Sequence, residues 1–187
     1  ARSRPPRGRA APARHAPGRG GWGPRLAVLI PLILAGTAYL PTLGYGFVWD
    51  DQNFIVDNPA AQSLDRLPEA LGHGYGWVPS VTERTDAYLY FRPLIVAANS
   101  VQWALSGGAP WVFHLMNLLT HAMAAAVVSI ILLRLRSHWS AALLAGGLFA
   151  LHPVHSEAVA WVSGRTDLCA GLFGLLALAW AAARMVG

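Results

Sequence analysis

Two uninterrupted apolar runs, residues 26–44 and 111–133, limit what this chain can fold into. Neither contains Asp, Glu, Lys or Arg. A helix needs about 17–25 apolar residues to cross a bilayer, and both runs are long enough. Two further runs, 141–154 and 168–183, are shorter and need flanking residues to complete a crossing. A fifth apolar stretch, Pro93 to Leu105, has thirteen residues and suits an interfacial or re-entrant helix. Pro93 fits a first helical turn and Gly107-Gly108 a helix end. A short surface helix is expected near Leu67 to Leu71. With 55% hydrophobic and 12% charged residues, the chain is too apolar for an ordinary soluble domain. The expected fold class is all-α: a polytopic membrane helical bundle of about four spans.

Charge placement orients the bundle. All fourteen basic residues are Arg, and seven of them lie in the first 25 residues. Seven of the nine acids lie between Asp50 and Asp86; the others are Glu157 and Asp167. Residues 1–24, rich in Arg, Pro, Gly and Ala, have no periodicity and read as a disordered basic arm. Beside an apolar helix such an arm sets membrane orientation rather than binding nucleic acid. With a cytoplasmic N-terminus and a non-spanning 93–105 stretch, ten of fourteen Arg fall on the cytoplasmic side, and no acid does. The opposite choice for 93–105 moves Glu157 and Asp167 inside and leaves eight Arg there. The positive-inside rule favours the first arrangement. It leaves two extracytoplasmic loops, 45–110 and 152–167, with residues 25–187 forming one membrane domain. The chain reads as an N-terminal piece of something longer. Its one cysteine, Cys169, permits no internal disulfide.

Each loop carries a polar motif directly after an apolar run. The first reads FVWDDQNFIVDNP from Phe47 to Pro59, and the second HPVHSEAVAWVSGRTD from His152 to Asp167. Adjacent carboxylates at a membrane edge are costly to desolvate, so they face water or a working cleft. Asp50 or Asp51 could act as a general base toward an acceptor hydroxyl. They could equally mark a solvated turn. In extended chain the two side chains point to opposite sides, so only one meets a given substrate. Arg165 at the outer edge suits a phosphate oxygen; pairing with Asp167, or snorkelling to headgroups, is the plainer alternative. Arg92-Pro93 could hold an acceptor carbonyl or a phosphate, or simply start a helix.

His152, His155 and Glu157 have some metal-ligand character. Pro153 interrupts the helix they would need, and no second ligand pair is visible. Contact with a headgroup or substrate is the better expectation. No motif requires a cofactor, and a divalent metal stays open. His114, Asn117 and His121 share one face of the second span. Polar groups there face the bundle interior, where they join helices or hold a substrate.

The motifs FVWDDQNFIVDNP, YFRPL (Tyr90 to Leu94), FHLMNLLTH (Phe113 to His121) and LHPVHSEAVAWVSGRTDLCAGLF (Leu151 to Phe173) resemble, in this order, the transmembrane and tetratricopeptide-repeat O-mannosyltransferases and their bacterial relatives. That family belongs to the GT-C glycosyltransferases. The resemblance covers about residues 40–175. It implies a polyprenyl-phosphate sugar donor, a protein acceptor, membrane lipids as surroundings, and inversion at the sugar carbon. It also implies a multi-pass enzyme of the bacterial inner membrane or endoplasmic reticulum. The acid pair would be Asp50-Asp51, where many relatives have Asp-Glu; Asp50 takes the first position and is the favoured base. Arg165 would face the donor phosphate. Further spans and tetratricopeptide repeats would follow in such a protein, so residues 1–187 would not hold a complete donor site. The competing readings are a GT-C enzyme acting on a lipid or glycan, and a polytopic transporter with His114, Asn117 and His121 along its path.

Overall fold

The computed structural model describes residues 21–73 and 90–186. Residues 1–20 of the basic arm and 74–89 of the first loop lie outside the described residues. Among the described residues all regular structure is helical. Three stretches are long and apolar enough to cross a membrane: Trp22–Gly44, Pro110–Arg134 and Val162–Met185.

Helix α1, Trp22–Ala38, starts earlier than composition suggests. Pro24 is compatible with this, because the first N–H groups of a helix have no internal partner to lose. The helix tightens to a 3-10 turn, Leu40–Gly44, where Pro41 withholds an N–H. The first loop then carries a single π turn, Gln52–Val56, and the short α2, Leu67–Ala70. Helix α3, Pro93–Ser106, stops at Gly107, whose left-handed φ of 62° lets its N–H reach Trp103 O at 2.8 Å.

Helix α4, Pro110–Arg134, is the central helix, packed against α1, α5 and α7. Its neighbours' directions follow from its polar contacts. His121 Nε2 bonds Ala150 O at 3.1 Å, and Ser129 Oγ donates to Ala142 O at 2.9 Å. Those two bonds run α5, Trp139–Leu151, antiparallel to α4. Asn117 meets residues 161 and 165, while Arg134 donates to Ala179 O. Helix α7, Arg165–Val186, therefore runs parallel to α4. The segment between them must return across the bundle, and α5 makes that return. At 13 residues, about 20 Å, α5 is shorter than a bilayer core. It ends at Leu151 rather than at the expected Val154, because His152 precedes Pro153 and is pushed out of helical geometry (φ −67°, ψ 127°). The small α6, Ser156–Ala160, joins it to α7.

The waist of the bundle is made of small residues: Ala35, Ala122, Ala125 and Ala150 are buried together. Small residues let helix backbones approach closely in lipid. Gly146 of α5 is the tightest such point, since a Cβ there would lie 2.8 Å from Pro31 Cγ and overlap Ser129 Oγ. Gly146→Ala is expected to destabilise the fold by about 1–3 kcal/mol, the usual cost of overpacking. Gly171→Ala on α7, where no described atom from outside its own turn lies within 4 Å of the added carbon, is expected to be neutral or slightly stabilising. Thermal unfolding of the two variants in one detergent checks the contrast.

Candidate functional site where two loops meet

The helix directions bring the loop after α1 and the loop after α5 to the same end of the bundle. Direct bonds then join them. Ser163 donates twice to Asp51 Oδ1, from its N–H at 2.8 Å and its hydroxyl at 2.6 Å. Val48 N–H donates to Asp51 Oδ2 at 3.1 Å. Asp51 is fully buried, so its charge is held by these donors rather than by water. Beneath the joint, Ile55, Phe113 and Val162 form a buried apolar cluster flanked by Phe47, Phe54 and Trp103.

Asp50 behaves differently: it is exposed. The two acids diverge, although not as an extended strand would make them. Asp50 opens a helical turn that runs on into the π turn. Trp49 makes this possible with a φ of 51°, in the left-handed region that a bulky side chain rarely enters. Such strain, next to a π turn, is a frequent mark of working sites. The Trp49 ring meets Trp161 edge-on at 6.0 Å, a second bridge between the loops.

Arg165, the first residue of α7, is only 1% exposed. Its guanidinium donates to Asn117 Oδ1 (3.0 Å), Asn99 Oδ1 (2.8 Å), Gln102 Oε1 (2.7 Å) and Phe113 O (3.0 Å). One side chain thus ties α3, α4 and α7 together. Asn117 in turn donates to Trp161 O at 2.9 Å, fixing the second loop to α4. Arg92 is half-buried at the start of α3 and donates to Thr166 Oγ1 at 3.3 Å, with its guanidinium 5.0 Å from the Tyr90 ring centre. Asp167, in the first turn of α7, is exposed.

The remaining sequence candidates form a neighbouring group. His155 packs against Phe149 (4.4 Å between ring centres) and His121 (5.0 Å), with His152 at 6.2 Å. Burial, reinforced by His152, pushes the His155 pKa below its ordinary value, which favours neutral imidazole. His152 Nδ1 accepts from Val154 N–H, which orients it as a cap. Among the described residues no group of three or more His, Cys, Asp or Glu is placed to hold a metal. His114, Asn117 and His121 are all buried: His114 bonds the first loop at Gly46 O, Asn117 the second loop at Trp161 O, and His121 helix α5 at Ala150 O.

Ser163, Asn99 and Gln102 are absent from the sequence candidates. A signal for two of them exists: Asn99 and Gln102, at i and i+3 on an apolar helix, share a face that needs a polar partner. Beside the acid pair lies a cleft of about 710 Å³ lined by both loops, chiefly Tyr45, Gly46, Val48, Trp49, Glu157 and Trp161.

Comparison with known proteins places this site in context. The chain is 41% identical over 145 residues to Protein O-mannosyl-transferase Tmtc2 of Drosophila melanogaster, covering 76% of this chain and 15% of that protein. It is 35% identical over 144 residues to Tmtc1 of the same organism, covering 77% of this chain and 16% of that one. Human TMTC2 is 35% identical over 160 residues, which is 82% of this chain and 18% of the human protein. The chain therefore spans less than a fifth of the length of these relatives. No family model matches, and no solved structure matches. By its sequence the chain belongs to the transmembrane and tetratricopeptide-repeat O-mannosyltransferase family.

Proposed function

We propose that these residues form part of an integral-membrane glycosyltransferase that moves mannose from a polyprenyl-phosphate donor to a protein Ser or Thr hydroxyl. The observation that carries this reading is the division of the acid pair. Asp51 is buried and saturated with donors, while Asp50 beside it is exposed at the junction of the two loops. An exposed carboxylate can reach an acceptor hydroxyl; a buried, fully bonded one cannot. Asp50 takes the hydroxyl proton as the oxygen attacks the sugar's anomeric carbon. The bond from that carbon to the phosphate oxygen breaks, and its electron pair leaves with the polyprenyl phosphate. Attack opposite the leaving group inverts the carbon.

Asp51, Ser163 and the strained Trp49 hold Asp50 in place. Arg165 sits under the site with its bonds directed at amides, which supports a positioning role more than the phosphate contact expected of it. Arg92 is the better candidate for the phosphate, being half-exposed and bonded to Thr166 beside Arg165. Its planar fork suits phosphate oxygens. Glu157 is exposed on the acceptor side, and His152 and His155 precede it on the same loop.

The working face is extracytoplasmic in this proposal, supported by the Arg distribution. Single cysteines introduced at Asp65 and Val154, in a Cys169→Ser background, are expected to react with an impermeant thiol reagent from outside. One at His138 is expected to react only after permeabilisation. Labelling of Val154 and Asp65 from opposite sides would defeat the shared site. Activity itself is tested with polyprenyl-phosphate [¹⁴C]mannose and a Ser/Thr peptide: transfer with inversion is expected, and transfer to lipid alone would replace the protein acceptor.

A further inference from the structure

We infer that the cleft between the two loops docks the acceptor polypeptide, gripping an apolar side chain next to the accepting Ser or Thr and favouring a basic residue nearby. The inference rests on the function proposed above and adds the substrate feature that this site would read. Trp49 lines the cleft and is the chain neighbour of Asp50. A hydroxyl held at Asp50 therefore places the residues flanking it over Trp49 and Trp161.

The cleft is mostly apolar, walled by Tyr45, Val48, Trp49 and Trp161, and its volume of about 710 Å³ suits an organic segment larger than one small group. Among the described lining residues there is no Arg, Lys or His to meet the phosphate of a polyprenyl-phosphate sugar, and Glu157 would repel that charge. A polyprenyl chain would fit the walls and leave one polar feature without purpose, the Glu157 carboxylate, exposed where it lines the cleft.

A peptide answers both features. Its apolar side chain fills the aromatic walls, and a basic side chain meets Glu157. Among the described lining residues Glu157 is the one carboxylate, so the charge complement is a cation. The floor is braced from below. His114 Nε2 bonds Gly46 O at 3.4 Å, and its ring meets Tyr45 edge-on at 6.2 Å. A preformed cleft avoids the ordering cost that a loose one would incur on binding.

The test uses the whole protein in lipid nanodiscs and three fluorescein-labelled peptides of one Ser-containing sequence. One has a Leu and an Arg flanking Ser, one replaces Leu by Gly, and one replaces Arg by Glu. Anisotropy without donor reads binding alone. The Leu/Arg peptide is expected to bind best, and each replacement to weaken binding about tenfold, the scale of one lost contact of this kind. Glu157→Gln is expected to remove the preference for Arg over Glu. Trp161→Ala removes one aromatic wall and is expected to abolish the preference for Leu over Gly. In the transfer assay these variants should raise KM for peptide and leave KM for the polyprenyl-phosphate sugar unchanged. Equal binding of all peptides by all variants overturns the inference, as does a rise confined to the donor KM. If the binding pattern appears and no donor yields transfer, the cleft stands and the proposed enzyme activity falls.

Discussion

Asp50→Asn is expected to lower mannosyl transfer by about 10²–10⁴-fold, the usual contribution of a positioned general base. The amide keeps the side chain's shape and removes its basicity. Because Asp50 is exposed, no internal bond is broken, and expression, membrane insertion and unfolding temperature should match the parent protein. Turnover should fall while peptide binding stays the same, since the lost interaction operates in the transition state. Asp51→Asn is expected to behave in the opposite order. One side-chain position that accepted hydrogen bonds from Ser163 or Val48 would become a donor, setting donor against donor in a buried site. Stability should fall first, and activity only as the loop junction loosens. Steady-state kinetics and thermal unfolding of both variants separate the two roles.

The second large effect is structural and falls on Arg165. Arg165→Ala leaves the buried acceptor oxygens of Asn99, Gln102 and Asn117 without this partner, and opens a cavity where α3, α4 and α7 converge. Each buried unsatisfied group costs about 1–3 kcal/mol. A total loss of roughly 3–5 kcal/mol follows, at the high end for single substitutions. Arg165→Lys restores the charge and cannot reach three amides in different directions, so an intermediate loss is expected. Arg165→Met, close in length and uncharged, should resemble Ala in the orphaned amides while filling more of the cavity. The ordering Arg, then Lys, then Met and Ala, read from unfolding temperature in detergent, identifies the hub. An Arg that only reaches toward headgroups would tolerate Lys without cost.

How much of this was legible in the sequence depended on whether the signal was local. Helix α4 follows from its charge-free run, and α3 from Pro93 and Gly107 at its ends. The expected pairing of the two motif loops came from Arg and acid counts, and the helix directions independently bring those loops to one end. The π turn was not legible: the acids read as extended chain, and the left-handed Trp49 that turns them has no sequence marker comparable to Gly. The short α5 was overextended to Val154, although Pro153 already argued for an earlier stop. Arg165 was the largest surprise of environment. A lone Arg at a span edge reads as exposed, and its three amide partners lie 48 to 66 residues away. The Asp51–Ser163 joint spans 112 residues and is equally beyond any local pattern.

The central claim is that Asp50 supplies a base and Asp51 supplies a support. Chemical rescue measures that difference directly. Asp50→Ala and Asp51→Ala, both in the whole protein with polyprenyl-phosphate mannose and a Ser peptide, are titrated with sodium formate, with sodium chloride as the ionic-strength control. Removing the exposed Asp50 side chain opens a gap that a small carboxylate can enter from water and use to accept the hydroxyl proton. The account predicts formate-dependent recovery of turnover in Asp50→Ala and none in Asp51→Ala, whose carboxylate is buried and bonded to Ser163 and Val48. Recovery in Asp51→Ala alone, or undiminished turnover in Asp50→Ala without formate, would contradict it.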